Sequence, residues 1–266
     1  MQKYVRHFIY ILKAFLKKNE RKRYTRLNLS ENGKVYFYDN LKNCFFHVVV
    51  RDRIDSTVAD QVFKNNEYDL SFLTRYDELF NKYKTILEKK KKPLIIDCGA
   101  HIGLSAFHFA TTFPNSIVVA IEPEKKNFSL MLENCKNLKN VELLNSAVGC
   151  MDGYVNIINE KAASHAFKTS RKNRINSSID VVTINSILKK YGDCVAFIVK
   201  IDIEGFEDDL FSSNTEWVGK FPLLIIETHD WMLPGQANSH NFLKAISEQR
   251  RDFVHRHESI FSISNM

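Results

Sequence analysis

Asp97 and Glu122 stand twenty-five residues apart, each at the end of a short apolar run rich in β-branched residues. Further along, a third run ends in Asp202 and Glu204, and a fourth leads into Glu227 and His229. Carboxylates gathered at strand ends suit a cationic ligand and repel a pyrophosphate. Carboxylates paired with a histidine can orient an acceptor, take a proton or hold a metal. The first pair therefore points to binding and the second group to catalysis.

The clearest local pattern is Ile95-Ile96-Asp97-Cys98-Gly99-Ala100-His101-Ile102-Gly103-Leu104-Ser105, a strand, a glycine-containing turn and a helix start. Open α/β sheets bind ligands at the carboxyl ends of their strands, where such a turn brings backbone amides and a helix N-terminus close to the ligand. Gly99 and Gly103 let that backbone approach, and the spacing DxGxxxG differs from the GxGxxG of dinucleotide binders. Asp97 would face the cationic part of a nucleoside; taken alone, the motif also fits a structural tight turn. Glu122 would accept both hydroxyls of a ribose, because a crossover helix returns the chain beside the first strand. Its bland alternative is a solvated residue starting a helix before Pro123. Asn145-Ser146-Ala147-Val148-Gly149 comes at the height of a nucleobase, or is a turn continued by Asp152-Gly153.

The candidate ligand-binding residues are thus Asp97, Gly99, Ala100, His101, Gly103, Ser105, Glu122, Pro123, Ser146 and Ala147, and the candidate catalytic ones Asp202, Glu204 and His229. Against these stand plainer roles: Glu204 capping a helix, Lys200 pairing with a carboxylate, His229 as a structural histidine. No metal site is assigned, although a divalent cation between the paired carboxylates stays open as an alternative.

The elements that must position these residues follow from periodicity. Apolar runs at 94–97, 117–122, 141–148, 195–202 and 223–228 alternate with helical patterns at 103–113, 125–138, 185–191 and 241–250. This alternation predicts a mostly parallel sheet with helices on both faces. An insert at 153–183 adds two strands around a polar loop at 161–177. The tail at 252–264 reads as a closing hairpin whose last strand runs antiparallel. Upstream, 34–38 and 44–51 form a hairpin through Asp39-Asn40, and 67–92 suits a long helix or two short ones ended by Pro93.

At 266 residues with 44% hydrophobic and 26% charged side chains, the chain is an ordinary globular protein with one α/β domain, 61–266, and an N-terminal extension, 1–60. Its five scattered cysteines form no ligand cluster and fit a reducing compartment. The net charge of +7 gathers at Lys3 to Arg26 and Lys89 to Lys92. Val5, Phe8, Ile9, Leu12, Phe15 and Leu16 make residues 1–26 a basic amphipathic helix. Lys13 interrupts its apolar run, which is too short for the roughly 20 residues of a bilayer span, and it lacks a cleavage site. The expected location is cytoplasmic, with the helix either at the inner, anionic face of a membrane or packed on the domain or a partner.

Taken together, the motifs resemble the FkbM family of S-adenosylmethionine-dependent methyltransferases. The resemblance rests on Asp97-Cys98-Gly99-Ala100-His101-Ile102-Gly103, Glu122-Pro123, Ala147-Val148-Gly149, Val182-Thr183-Ile184-Asn185-Ser186-Ile187, Lys200-Ile201-Asp202-Ile203-Glu204-Gly205-Phe206-Glu207 and Ile226-Glu227-Thr228-His229, with Val62 to Tyr68 as lead-in. It runs from about Val62 to the C-terminus. It implies a Rossmann-like class I methyltransferase fold with a seven-stranded sheet, S-adenosylmethionine as cofactor, and O-methylation of a sugar, glycan or related small molecule. His101 stands where Asn is common. Methylation of nucleic acid is a competing reading prompted by the basic charge. Asp202, however, leads into Ile203-Glu204-Gly205 without the prolines and aromatic that clamp a base, so no nucleic-acid partner is expected. A non-catalytic nucleoside-binding module is the third reading.

Overall fold

The computed structural model describes residues 22–31, 33–157, 169–170 and 178–265. These form two compact units, the chain passing from one to the other between Asp69 and Leu70. The expected amphipathic helix lies outside the described residues, apart from Lys22 to Arg26, which are not helical, Tyr24 to Arg26 being strand.

In the first unit, β1 (Tyr24–Glu31), β2 (Lys34–Asp39) and β3 (Cys44–Val49) form an antiparallel sheet in that order. The hairpin between β2 and β3 matches its turn chemistry, with Asp39 Oδ1 accepting from the amides of Leu41 and Lys42. The first strand was not foreseen, because its polar residues carry little apolar alternation. Helix α1 (Arg53–Ala59), capped by Asp52, runs into a π-helical turn at Asp60–Lys64. Phe63 on that turn is buried against Tyr24, Phe37 and Phe46, with ring centroids 5.0–5.2 Å away. This packing keeps the segment through Asp69 with the N-terminal unit.

The second unit opens with a 3-10 turn at Leu70–Phe72 and α2 (Tyr76–Glu88). There follow β4 (Pro93–Cys98), α3 (Leu104–Thr112), β5 (Ile117–Ile121), α4 (Lys125–Cys135), β6 (Val141–Leu144) and β7 (Ala147–Val148). The insert contributes β8 (Gly153–Ile157), β9 (Thr169–Ser170) and β10 (Ile179–Val182). The chain continues through α5 (Ile184–Lys190), β11 (Val195–Ile201), α6 (Glu207–Phe211), a 3-10 segment at Thr215–Lys220, β12 (Leu223–Glu227), a 3-10 turn at Asp230–Met232, α7 (His240–Ser247), β13 (Arg251–Arg256) and β14 (Ser259–Ser264).

The main sheet has the order β13-β14-β12-β11-β4-β5-β6. Only β14 runs antiparallel to its neighbours. All six residues of β4 are buried, as expected for a central parallel strand covered on both faces. Caps fix the helix starts: Glu124 accepts from Asn127 N at α4, and Thr183 and Ser186 form a capping box at α5. One strand expectation is corrected. Residues 141–148 are not one strand, because the chain breaks at Asn145-Ser146 and Ala147–Val148 pairs in parallel with Val181–Val182 in a separate small sheet, β7-β10-β8-β9. Asn145 causes the break, since its Nδ2 donates to the carbonyls of Glu122 (2.9 Å) and Pro123 (3.1 Å) instead of pointing from a strand face. Most of the polar loop at 161–177 lies outside the described residues. Among the described residues, no helix is long and apolar enough to cross a membrane.

Candidate active site

The switch point falls between β4 and β11, where the crossovers leave in opposite directions and strand ends open a crevice. The turn after β4 is wound by three left-handed residues, Gly99 (φ 77°), His101 (φ 51°) and Gly103 (φ 86°). A side chain at Gly99 would place its Cβ 1.7 Å from the Asp202 carbonyl oxygen. Asn, Asp and His tolerate left-handed backbone better than other non-glycine residues, which explains how His101 can replace the more common Asn.

The turn differs from an anion-binding nest. The amides of Gly99 and Ala100 both donate to Ile121 O, and His101 N donates to Glu122 Oε2. These donors are occupied within the chain. What the turn presents instead is acidic. Glu122 is buried, and burial first of all pushes its carboxyl up to about 7, against the pull of its hydrogen bonds. Oε1 accepts from Glu124 N (3.0 Å) and Asn127 Nδ2 (3.1 Å), and Oε2 from His101 N (2.9 Å). A carboxylate has about four acceptor sites. Acceptor capacity therefore remains for a ligand hydroxyl.

Asp97 sits beneath the turn, fully buried. Ser105 Oγ donates to its Oδ2 at 2.6 Å, while Oδ1 lies 3.4 Å from Lys200 Nζ. Lys200, 2% exposed, also donates to Gly99 O (2.8 Å) and pairs with Asp202 Oδ2 (3.2 Å). It thus joins the ends of β4 and β11. Ala100 is buried, and Gly103 N donates to its carbonyl at 2.7 Å. Pro123 is tied by Asn145 as above. Ser146 and Ala147 follow that tie, and Ala147 is buried at the start of the small sheet.

At the ends of β11 and β12 the three candidate catalytic residues come together. His229 is 1% exposed, and its Nε2 lies 3.6 Å from Asp202 Oδ1, 3.8 Å from Glu204 Oε2 and 3.7 Å from Glu227 Oε1. Nδ1 lies 2.9 Å from Glu207 Oε1. Glu207 also accepts from Ile203 N (3.2 Å) and Asn238 Nδ2 (2.7 Å). A carboxylate so placed only accepts, so Nδ1 carries a hydrogen and Nε2 is the nitrogen that faces the site and can gain or lose a proton. Glu204 adopts φ 55°, a strained conformation of the kind found at functional sites, followed by Gly205 at φ 92°.

The crowd of carboxylates shifts every titration. Burial opposes the charge of His229, yet the hydrogen bond and charge of Glu207, with Asp202 and Glu204, raise it to about 9. Burial, then the charge of Asp202, pushes both Glu204 and Glu227 up to about 8. Burial would also raise Asp202, but the Lys200 and His229 charges hold it below the usual carboxylate range. Cys98, behind the turn, is a buried thiol that burial raises, an inert hydrophobe as its strand position implies.

Two structural residues escaped the sequence reading of the site. Glu207 and Asn238, which hold His229, lie 22 residues before and 9 after it and meet only in space. The reading of Lys200 as a carboxylate partner holds, since it pairs with Asp97 and Asp202.

Among solved structures, the chain resembles a candidate O-methyltransferase from Klebsiella pneumoniae (14% identity, 79% of this chain and 90% of that one, TM-score 0.42). It also resembles the precorrin-6y C5,15-methyltransferase of Geobacter metallireducens (11% identity, 65% and 79%, TM-score 0.36). A third is Aeropyrum pernix fibrillarin with natively bound S-adenosyl-L-methionine (12% identity, 65% and 67%, TM-score 0.36). No curated protein matches the chain in sequence. The family description "Methyltransferase FkbM domain" matches residues 97–254, more than half of the chain and the whole stretch from the glycine turn to the closing hairpin. The chain belongs to the FkbM family of S-adenosylmethionine-dependent methyltransferases.

Proposed function

We propose that the protein methylates a hydroxyl group on a sugar, glycan or related small molecule. The observation that carries this reading is the meeting of Asp202, Glu204 and His229 at adjacent strand ends, beside an open surface pocket of about 320 Å³ whose described lining residues are Thr228, Trp231 and Glu258. When bound, S-adenosylmethionine supplies an electrophilic methyl group on a cationic sulfonium. The acidic strand ends fit such a molecule in charge. In this proposal Gly99, Ala100, His101, Gly103, Ser105, Glu122, Pro123, Ser146 and Ala147 hold it, with Asp97 acting from behind through Ser105 and Lys200.

The chain's own residues then have two tasks. Holding the reactants in near-attack geometry supplies roughly 7–11 kcal/mol of the barrier. Removing the hydroxyl proton, through a side chain of the Asp202, Glu204 and His229 group, adds about 10²–10⁴-fold. Trp231 is 69% exposed at the cavity and offers a flat apolar face to the C–H face of a sugar ring. The carboxylates around the site repel phosphate, so nucleic acid is not proposed as the acceptor.

The test is transfer of an isotope-labelled methyl group from S-adenosylmethionine in a host lysate, with mass spectrometry of the labelled product. The expected product is a base-stable methyl ether in the sugar or glycan fraction. Label confined to nuclease-sensitive material would overturn the reading. With the acceptor in hand, Trp231→Ala should raise KM roughly tenfold and leave kcat nearly unchanged, the pattern of lost uniform binding.

Glu122 gives an independent check on the cofactor end. It accepts a ribose hydroxyl more strongly when ionised, and its carboxyl is held at about 7. Affinity for S-adenosylhomocysteine should therefore fall as the pH drops through that value. Glu122→Gln should bind about tenfold more weakly at pH 8 and show no such dependence, the loss expected of one hydrogen bond to a charged group. Calorimetry at both ends of the range would show it, and an equally steep profile in the variant would exclude this role.

A further inference from the structure

We propose that Asp202, Glu227 and His229 bind one divalent cation that takes mixed nitrogen and oxygen ligands. One ligand atom from each of the three lies within 4.8 Å of the others. The histidine supplies a second, independent observation. Its ring is almost wholly buried, and among the described residues no hydrogen bond reaches Nε2, which points into the carboxylates at 3.6–3.8 Å. Several carboxylates converging on one nitrogen require a positive charge among them, which a proton on Nε2 supplies in the free protein and a metal ion would supply in its place. The other ring nitrogen is already fixed by Glu207, itself held by Ile203 N and Asn238 Nδ2. A carboxylate behind a histidine is the arrangement that orients metal-binding imidazoles.

Charge and geometry agree. Asp202, Glu204, Glu207 and Glu227 surround the ring, and Lys200, already shared with Asp97, is the fixed cation paired with this group. Neighbouring ligands of a metal at about 2.1 Å stand about 3 Å apart. From 3.6 and 3.7 Å the two carboxylates must therefore each move roughly 0.6–0.7 Å closer to the imidazole, and the Asp202–Glu227 separation, within 4.8 Å, must close by up to about 1.8 Å. The side chains of Asp202 and Glu227 are part-exposed and free to make that movement, whereas His229 is clamped. One imidazole with two carboxylates favours the Mn²⁺ to Zn²⁺ series over Mg²⁺ and Ca²⁺, which prefer all-oxygen shells. Glu204, outside the trio, is then the carboxylate that remains for the acceptor's proton. That last assignment rests on the proposed hydroxyl acceptor, but cation binding itself does not.

The experiment uses full-length protein stripped with a chelator and titrated with MnCl₂, followed by electron paramagnetic resonance and calorimetry without methyl donor or acceptor. One Mn²⁺ per chain is expected. Asp202→Asn and His229→Asn should lose it, Glu207→Gln should bind about 10–100-fold more weakly, and Glu133→Gln, on the exposed face of α4, should bind as the wild type. Circular dichroism identifies the variants that remain folded. Absence of saturable binding of either Mn²⁺ or Zn²⁺ overturns the proposal, as does undiminished binding in folded Asp202→Asn. Either result leaves the labelled-methyl test unaffected, so failure of the cation site and failure of the acceptor reading are separable.

Discussion

Replacing Lys200 by methionine should lower the melting temperature by about 10 °C, although methionine fills nearly the same volume and suits an apolar strand. The reason is the lysine's position between Asp97, at 3.4 Å, and Asp202, at 3.2 Å, with its third contact on Gly99 O. Without it the buried Asp97 and the part-exposed Asp202 face each other across the strand junction. Removing one partner of a buried ion pair costs about 3–5 kcal/mol, which for a domain of this size is about 10 °C. The expectation is specific to charge. Adding Asp97→Asn to Lys200→Met should recover a substantial part of the loss, a coupling that thermal melts of the double-mutant cycle would measure. If Lys200→Met melted with the wild type, or Asp97→Asn made no difference to it, the lysine would be only a space-filler.

The second large effect is expected at Gly99. An alanine there must keep a left-handed φ of 77° and fit a methyl carbon 1.7 Å from Asp202 O and 2.8 Å from its carbonyl carbon. Both neighbours are backbone, so no side chain can swing aside. β4 and β11 would have to part, straining the hydrogen bond from Asp202 N to Cys98 O at 3.0 Å. Left-handed strain and overpacking together amount to about 2–6 kcal/mol. We expect Gly99→Ala to lose cofactor binding and methyl transfer even where some protein still folds. Two comparisons calibrate it. At Gly205 the obstacle is Leu233 Cδ1 at 2.8 Å, the end of a flexible side chain, so the loss should be smaller. At Gly192 the nearest atom is 3.5 Å away and φ is ordinary, so alanine should be neutral or slightly stabilising. Urea melts and calorimetric titration of S-adenosylhomocysteine across the three variants would rank them, and equal behaviour of Gly99→Ala and Gly192→Ala would refute the account.

Both expectations concern contacts between strands far apart in the chain, and that is where sequence and structure part company. Local periodicity determined the elements of the α/β domain: the apolar runs at 94–97, 117–122, 195–202 and 223–228 became strands within a residue or so, because burial on both sheet faces demands such composition. Glycine spacing determined the turn at Gly99 and Gly103, since only glycine accepts its conformation cheaply, and the acids at strand ends marked the site. Tertiary structure alone decided which of these residues touch. Lys200 bridges Asp97 and Asp202 because β4 and β11 are neighbours in register, with Lys200 opposite Asp97. Ala147–Val148 left the main sheet because Val181–Val182 offered another partner, and Glu207 with Asn238 clamps His229 from α6 and from the loop before α7. Hydrophobic pattern reports whether a side chain is buried, a property each residue carries locally. Which buried group lies opposite which depends on crossover direction and strand register, and these are set only when the whole sheet assembles.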